Sequence, residues 1–150
     1  MRPRLFLKAD VASGDGNPND SKVGTFNPLF PKGAYFSETG LLGPANIIDV
    51  HPGLELELTE RLSFTGDWDF FWRESTSDGI YNNALGLTRA GNTTTEPYIG
   101  SQAQAKLEWR ISRHFTATAV YAHFFAGDFL KDSPPAEDVD YVSVWMTFRF

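Results

Sequence analysis

The chain has no cysteine. Disulfides, thiolate metal sites and cysteine nucleophiles are therefore excluded. No stretch approaches the roughly 18 consecutive apolar residues of a membrane-spanning helix. The opening residues, MRPRLFLKADVASGDG, lack the apolar segment of a secretory signal, because Lys8 and Asp10 break the run that begins at Leu5–Leu7. Positive charge is scarce: 13 Lys+Arg stand against 19 Asp+Glu, a formal charge of −6 at pH 7. Phosphate backbones need a basic surface, so nucleic acid is not an expected partner. There is no serine-nucleophile motif and no phosphate-binding glycine loop. His51, His114 and His123 fall on separate segments without metal-ligand spacing. No catalytic residue, metal or cofactor is expected from these absences.

Aromatic residues, by contrast, are abundant: 15% of the chain, including 13 Phe and 4 Trp. Yet the mean hydropathy is mildly polar, at −0.30. Alternation of apolar with polar residues produces both values at once. At 150 residues, with no internal repeat and no compositional break, the chain reads as one domain, 1–150.

The dominant period is two, which is that of strands with two unlike faces. Around Arg2–Val11, Leu5, Leu7, Ala9 and Val11 oppose Phe6, Lys8 and Asp10. Around Ile47–Thr59, Ile48, Val50, Leu54, Leu56 and Leu58 oppose Asp49, His51, Glu55 and Glu57. Around Leu62–Arg73, Leu62, Phe64, Trp68, Phe70 and Trp72 oppose Ser63, Thr65, Asp67, Asp69 and Arg73. Around Ile99–Ile111, Ala103, Ala105, Leu107, Trp109 and Ile111 oppose Gln102, Gln104, Lys106, Glu108 and Arg110. A weaker alternation covers His114–Ala126, and a strong one closes the chain over about Asp138–Phe150.

The connections alternate in length. Tight turns fall at Thr59–Arg61 and Ser112–Arg113, whereas about Ala12–Asn46, Glu74–Pro97 and Gly127–Glu137 are long and rich in Gly, Pro, Asn, Asp, Ser and Thr. A short helix is expected near Glu38–Leu42. Short turns on one side and long loops on the other are the wiring of outer-membrane barrels. The fold class expected is all-β: about six strands of a larger antiparallel, up-and-down transmembrane barrel, with short periplasmic turns and long extracellular loops. Trp72 and Tyr98 at one end, and Trp109, Phe115, Phe148 and Phe150 at the other, are candidates for the aromatic girdles. The alternative is a soluble β-barrel that hides its apolar face in a core and binds an apolar ligand there.

The chain resembles the C-terminal part of the alginate export family of bacterial outer-membrane β-barrels. The stretches that carry the resemblance are ASGDGNPND, GTFNPLFP, GLLGPANIIDVHPGL, DWDFFWRES, YIGSQAQAKLEWRISRHF, YAHFFAGDFLK and DVDYVSVWMTFRF, in this order from Ala12 to Phe150. The resemblance implies a barrel of roughly eighteen strands with a polar lumen, sited in the outer membrane, that passes anionic polysaccharide outward. A general or small-solute porin of the same fold is the alternative within transport. The resemblance also implies a role for the last strand: Val142, Val144, Met146, Phe148 and Phe150 match the terminal signal read by the barrel-assembly machinery. Six strands are too few to close a barrel in lipid. The expectation is therefore a C-terminal third of a longer protein, with Met1 an internal or misassigned start.

If the apolar faces meet lipid, the polar faces line the lumen. The lumen candidates are Lys8, Asp10, Asp67, Asp69, Arg73, Gln104, Lys106, Glu108, Arg110 and Arg149. Their cations would replace water around the carboxylates of a polyanion, and Arg suits this because its planar fork matches a carboxylate. The competing role for each cation is to neutralise the acids that surround it, which outnumber the bases. Asp67 and Asp69, roughly 7 Å apart on one strand face, have a glycosidase-like separation but flank no cleft. SGDGNPND, Ser13–Asp20, is acidic and Gly-rich, but lacks the EF-hand spacing and reads as a turn. The first long connection carries Phe26, Leu29, Phe30, Tyr35, Phe36, Leu41 and Leu42, which favour burial. It either folds into the barrel mouth as a gate or packs on the rim.

Overall fold

A computed structural model of the chain describes residues 2–30 and 32–150. Met1, the expected internal start, lies outside them, as does Pro31 in the first loop. Six long strands form one antiparallel sheet: β1 (Arg2–Ala12), β2 (Ile47–Glu57), β3 (Leu62–Trp72), β6 (Tyr98–Arg110), β7 (Phe115–Ala126) and β8 (Val139–Phe148). Each pairs with its neighbour in that order. Two short strands, β4 (Ile80–Tyr81) and β5 (Leu87–Arg89), make a separate hairpin inside the second long loop. The expected helix near Glu38–Leu42 is a turn. The α-helical turn is instead α1, Asp128–Asp132, in the third long loop. Gly40 explains the first difference: its backbone φ of +64° breaks a helix at that point.

The period-two faces of the sequence are the two faces of the sheet. Register places Leu5 opposite Leu54, Ala9 opposite Val50, Leu56 opposite Phe64, Leu107 opposite Ala119 and Val144 opposite Ala119. A one-residue slip would move every one of these to the other face, so the alternation itself holds the register. The apolar face is bare. Leu5, Leu7, Val11, Val142, Val144, Met146 and Phe148 are all more than half exposed. Among the described residues no second sheet and no helix covers it. Aromatic rings mark its two ends. Tyr98, Trp72, Phe70, Trp68 and Phe125 form a continuous ladder, with centroids 5.7 to 6.4 Å apart, toward the long loops. Phe115, Phe148 and Phe150 cluster toward the short turns.

The hydrophobic core lies on the opposite face, under the loops. Phe36 and Leu42 of the first loop, Ile80 of β4 and Phe129 of α1 pack with Ala12, Ile47, Phe71, Ile99 and Phe124. Phe71 and Phe124 stand on the polar face, in register with Asp49 and Gln102. The first loop therefore folds over the polar face at its upper end, not over the outer rim. At roughly 1.5–3 kcal/mol for each large apolar side chain buried, this cluster holds the loop down.

Polar side chains then knit the three loops together. Arg73 is 2% exposed and donates to the carbonyls of Thr76, Asp78, Gly91, Thr94 and Glu96 at 2.7 to 3.1 Å. Its guanidinium lies over the Phe129 ring, 4.1 Å from the centroid. Asp78 joins the first loop to the second. It accepts from the Thr25 hydroxyl at 2.6 Å, the Asp15 N–H at 2.9 Å, and the Tyr81 hydroxyl and Gly79 N–H at 2.7 Å each. Asn46, fully buried, does the same: its amide donates to Ser75 and Gly79 carbonyls and accepts from the Ser75 N–H. In Ser13–Asp20 the side-chain oxygens of Asp15 and Asn17 each accept a backbone N–H two residues on, the geometry of an Asx turn.

Candidate functional site

The polar face has two tiers. The lower tier, near the short turns, is an open charged groove. Arg2 and Arg4 of β1 face Glu57 and Glu55 of β2, and Lys106 and Glu108 of β6 face Thr65 and Ser63 of β3. These side chains enclose a depression of about 480 Å³. Arg4 is bound to Glu55 through both carboxylate oxygens, at 2.9 and 2.5 Å. Lys106 and Arg2 make no ion pair among the described residues. Arg110 donates to the carbonyl of Glu60 in the adjoining turn, at 2.5 Å. It lines the next hollow together with Arg2, Glu57, Thr59 and Glu60. Bases and acids balance in this tier: Arg2, Arg4, Lys106 and Arg110 stand against Glu55, Glu57, Glu60 and Glu108.

The upper tier, beneath the loops, is acidic and closed. Asp10, Asp49, Asp67 and Asp69 surround His51 there. Asp49 and Asp69 are 1% exposed and His51 is 5% exposed. The strand ladder opens beside His51, between the Val50–Phe70 and Gly53–Asp67 pairs. Pro52 has no N–H to give to the ladder, and Gly53 leaves room for the Phe6 ring, which a Cβ would strike. His51 Nδ1 is 2.8 Å from Asp69 Oδ2, and Nε2 is 3.4 Å from Asp67 Oδ1. Gln104 reaches Asp67 at 3.4 Å, and Gln102 accepts from the Thr39 hydroxyl of the first loop at 2.9 Å. Lys8 turns its ammonium over the Phe6 ring, 5.0 Å from the centroid.

Of the lumen candidates, Lys8, Asp10, Asp67, Asp69, Gln104, Lys106, Glu108 and Arg110 share the polar face by register. Arg149 lies past the end of β8, at the short-turn rim, where its N–H donates to the His114 carbonyl. Arg73 is placed elsewhere. The chain leaves β3 at Trp72, and Arg73 turns into the loop cap, where five carbonyls consume its donors. Period two cannot see the end of a strand, so the alternation carried Arg73 one residue too far. Arg2 and Arg4 were missed, although they have the same parity as Lys8; no apolar partner flanks them on the N-terminal side to announce the strand.

The family model described as alginate export matches residues 1–143. The chain belongs to the alginate export family. Membership supports a role for this chain in alginate export. No curated protein matches it.

Proposed function

We propose that the sheet is a sector of an outer-membrane channel wall through which an anionic polysaccharide moves passively. The apolar face meets lipid, and the polar face meets the polymer in water. What carries the reading is where the bases stand on the polar face: Arg2, Arg4, Lys106 and Arg110 gather at the short-turn end, matched there by as many acids, while the Asp10–Asp49–Asp67–Asp69 group above is acidic. Cations at the periplasmic entrance gather a polyuronate by field and replace its hydration. Several weak contacts, with Arg4 already shared by Glu55, let the polymer leave again. The acids of the upper tier are held under the loop cap, away from the polymer.

The edges of β1 and β8 need further strands, since unpaired edges are forbidden in hydrocarbon. Strands 10 to 13 residues long suffice for the roughly 9–11 residues of a tilted crossing. The bare row Val142, Val144, Met146, Phe148 and Phe150 is the segment offered to the barrel-assembly machinery. No catalytic step and no cofactor is part of the transport.

The test is conductance of the intact protein in planar bilayers with uronate oligomers on the periplasmic side. A concentration-dependent block is expected. In the double variant Lys106→Glu, Arg110→Glu the block weakens at least several-fold and anion preference falls. Equal block by neutral and anionic oligomers, with selectivity unchanged in the variant, would favour a general porin instead.

A further inference from the structure

We infer that Asp49, His51 and Asp69 form a binding site for a divalent metal ion of the zinc class, set in the channel wall beneath the first loop. The inference goes beyond transport of a polyanion and does not depend on it.

One donor atom from each of the three residues lies within 4.8 Å of the others, and all three residues are buried. The cluster joins two strands: Asp49 and His51 come from β2, and Asp69 comes from β3. The carboxylates are left incomplete by the protein itself. Asp49 Oδ1 accepts the Asp10 N–H at 2.9 Å, but Asp49 Oδ2 has no hydrogen-bond partner, and neither has either oxygen of Asp69. His51 Nδ1 approaches Asp69 Oδ2 at 2.8 Å without completing it as an acceptor. Buried carboxylate oxygens without a hydrogen-bond donor cost several kcal/mol, and here three of them, one from Asp49 and two from Asp69, lie in one cluster. The neighbouring cations are engaged elsewhere: Lys8 over Phe6 and Arg4 on Glu55. A bound cation between the three donors removes the cost at both carboxylates at once.

The donor set selects the ion. Calcium takes six to eight oxygens and magnesium keeps an octahedron of oxygens and waters. One imidazole with two carboxylates is a nitrogen–oxygen set of low number, which suits zinc and its first-row neighbours. Asp67 completes the arrangement from outside. Its Oδ1 lies 3.4 Å from His51 Nε2. Nε2 makes no hydrogen bond here, so with a metal on Nδ1 the Asp67 carboxylate is the group placed to take up the Nε2 proton. Three protein ligands leave a fourth position for water. The ion would clamp β2 to β3 where Pro52 interrupts their ladder.

The test is isothermal titration of the intact, chelator-stripped protein in detergent with zinc, and separately with calcium and magnesium. Cobalt supplies an optical readout. Expected are one zinc per chain, a cobalt spectrum with the intense visible bands of a four-coordinate site, and little or no heat from calcium or magnesium. Asp69→Asn and His51→Gln each weaken zinc binding at least tenfold, whereas Glu55→Gln, in the lower tier, leaves it unchanged. Heat-modifiable migration on gels checks that each variant is folded. Absence of saturable zinc binding in the wild-type protein overturns the proposal regardless of the variants. So does zinc binding that survives both substitutions, or a site that takes calcium as tightly as zinc.

Discussion

The ring of Phe36, in the first long loop, stands edge-on to Phe71 of β3, with centroids 5.3 Å apart and planes at 74°. Phe71 is on the polar face, so this contact draws the loop across that face of the sheet. Phe71 in turn stacks near Phe124 of β7, centroids 6.4 Å apart. The loop thus rests on two strands that another strand, β6, separates.

Where the polar face lines the proposed lumen, a loop held there would narrow it. Deletion of residues 26–42 is expected to raise single-channel conductance. Phe36→Ala, which removes a buried ring at a cost of about 3 kcal/mol, should give a smaller rise with more frequent current fluctuations. Conductance equal to wild type in the deletion would place the loop away from the permeation path.

Arg73 ties the second and third loops to the end of β3. Its removal leaves five carbonyls without their donor, those of Asp78 and Gly91 buried, and opens a space beside Phe129. Arg73→Ala is expected to destabilise the loop cap by about 3 kcal/mol or more. Arg73→Lys should recover only part of this, because an ammonium has three donors and no planar fork. Protease cleavage within residues 74–97, measured against time, reports the loss. A cleavage rate unchanged in Arg73→Ala would contradict the keystone role.

How far the sequence revealed these arrangements follows from their range. Alternation is local, so the six long strands and their faces were legible from runs such as Gln104, Lys106 and Glu108 against Ala103, Ala105 and Leu107. The terminal residues were not: Arg73 continues the parity of Asp69 but belongs to the loop, and Arg2 and Arg4 precede the first apolar residue that marked the strand. The His51 cluster was hidden for a different reason. Its members are 20 residues apart in sequence from Asp49 to Asp69, and only strand pairing brings them together. Looking for a second histidine, or for ligands at helical spacing, passes over one histidine between carboxylates from two strands. The destination of the first loop was equally long-range, since nothing near Phe36 states that Phe71 awaits it on the polar face.

The Asp78 carboxylate provides a pH-dependent test of the cap. Burial pushes its pKa up, but hydrogen bonds from Thr25, the Asp15 N–H, Tyr81 and the Gly79 N–H outweigh burial and hold it below the ordinary carboxylate value. A pKa lowered by folding means stability that is complete above the unfolded pKa and is lost as pH falls through the folded one. The cap should therefore be closed at neutral pH and loosen below about pH 4. Hydrogen exchange at the Asp15 and Gly79 amides should accelerate there beyond the intrinsic pH trend. In Asp78→Asn those amides should exchange faster at neutral pH, and the acid-dependent step should vanish. An acid-dependent step that persists in the variant would assign it to another group.

If one face of the sheet meets lipid while the other meets water, the tryptophans report it directly. Trp68 and Trp109 stand on the bare apolar face, paired with Ala103 and Leu62, whereas Trp145 stands on the polar face, paired with Thr118. In single-tryptophan variants of the intact protein reconstituted into vesicles, acyl-chain-brominated lipid should quench Trp68 and Trp109 strongly and Trp145 little. Iodide should do the reverse. Quenching of Trp145 by brominated lipid, or protection of Trp68 and Trp109 from it, would contradict the account, because the apolar face would then be turned to a protein core and not to the membrane.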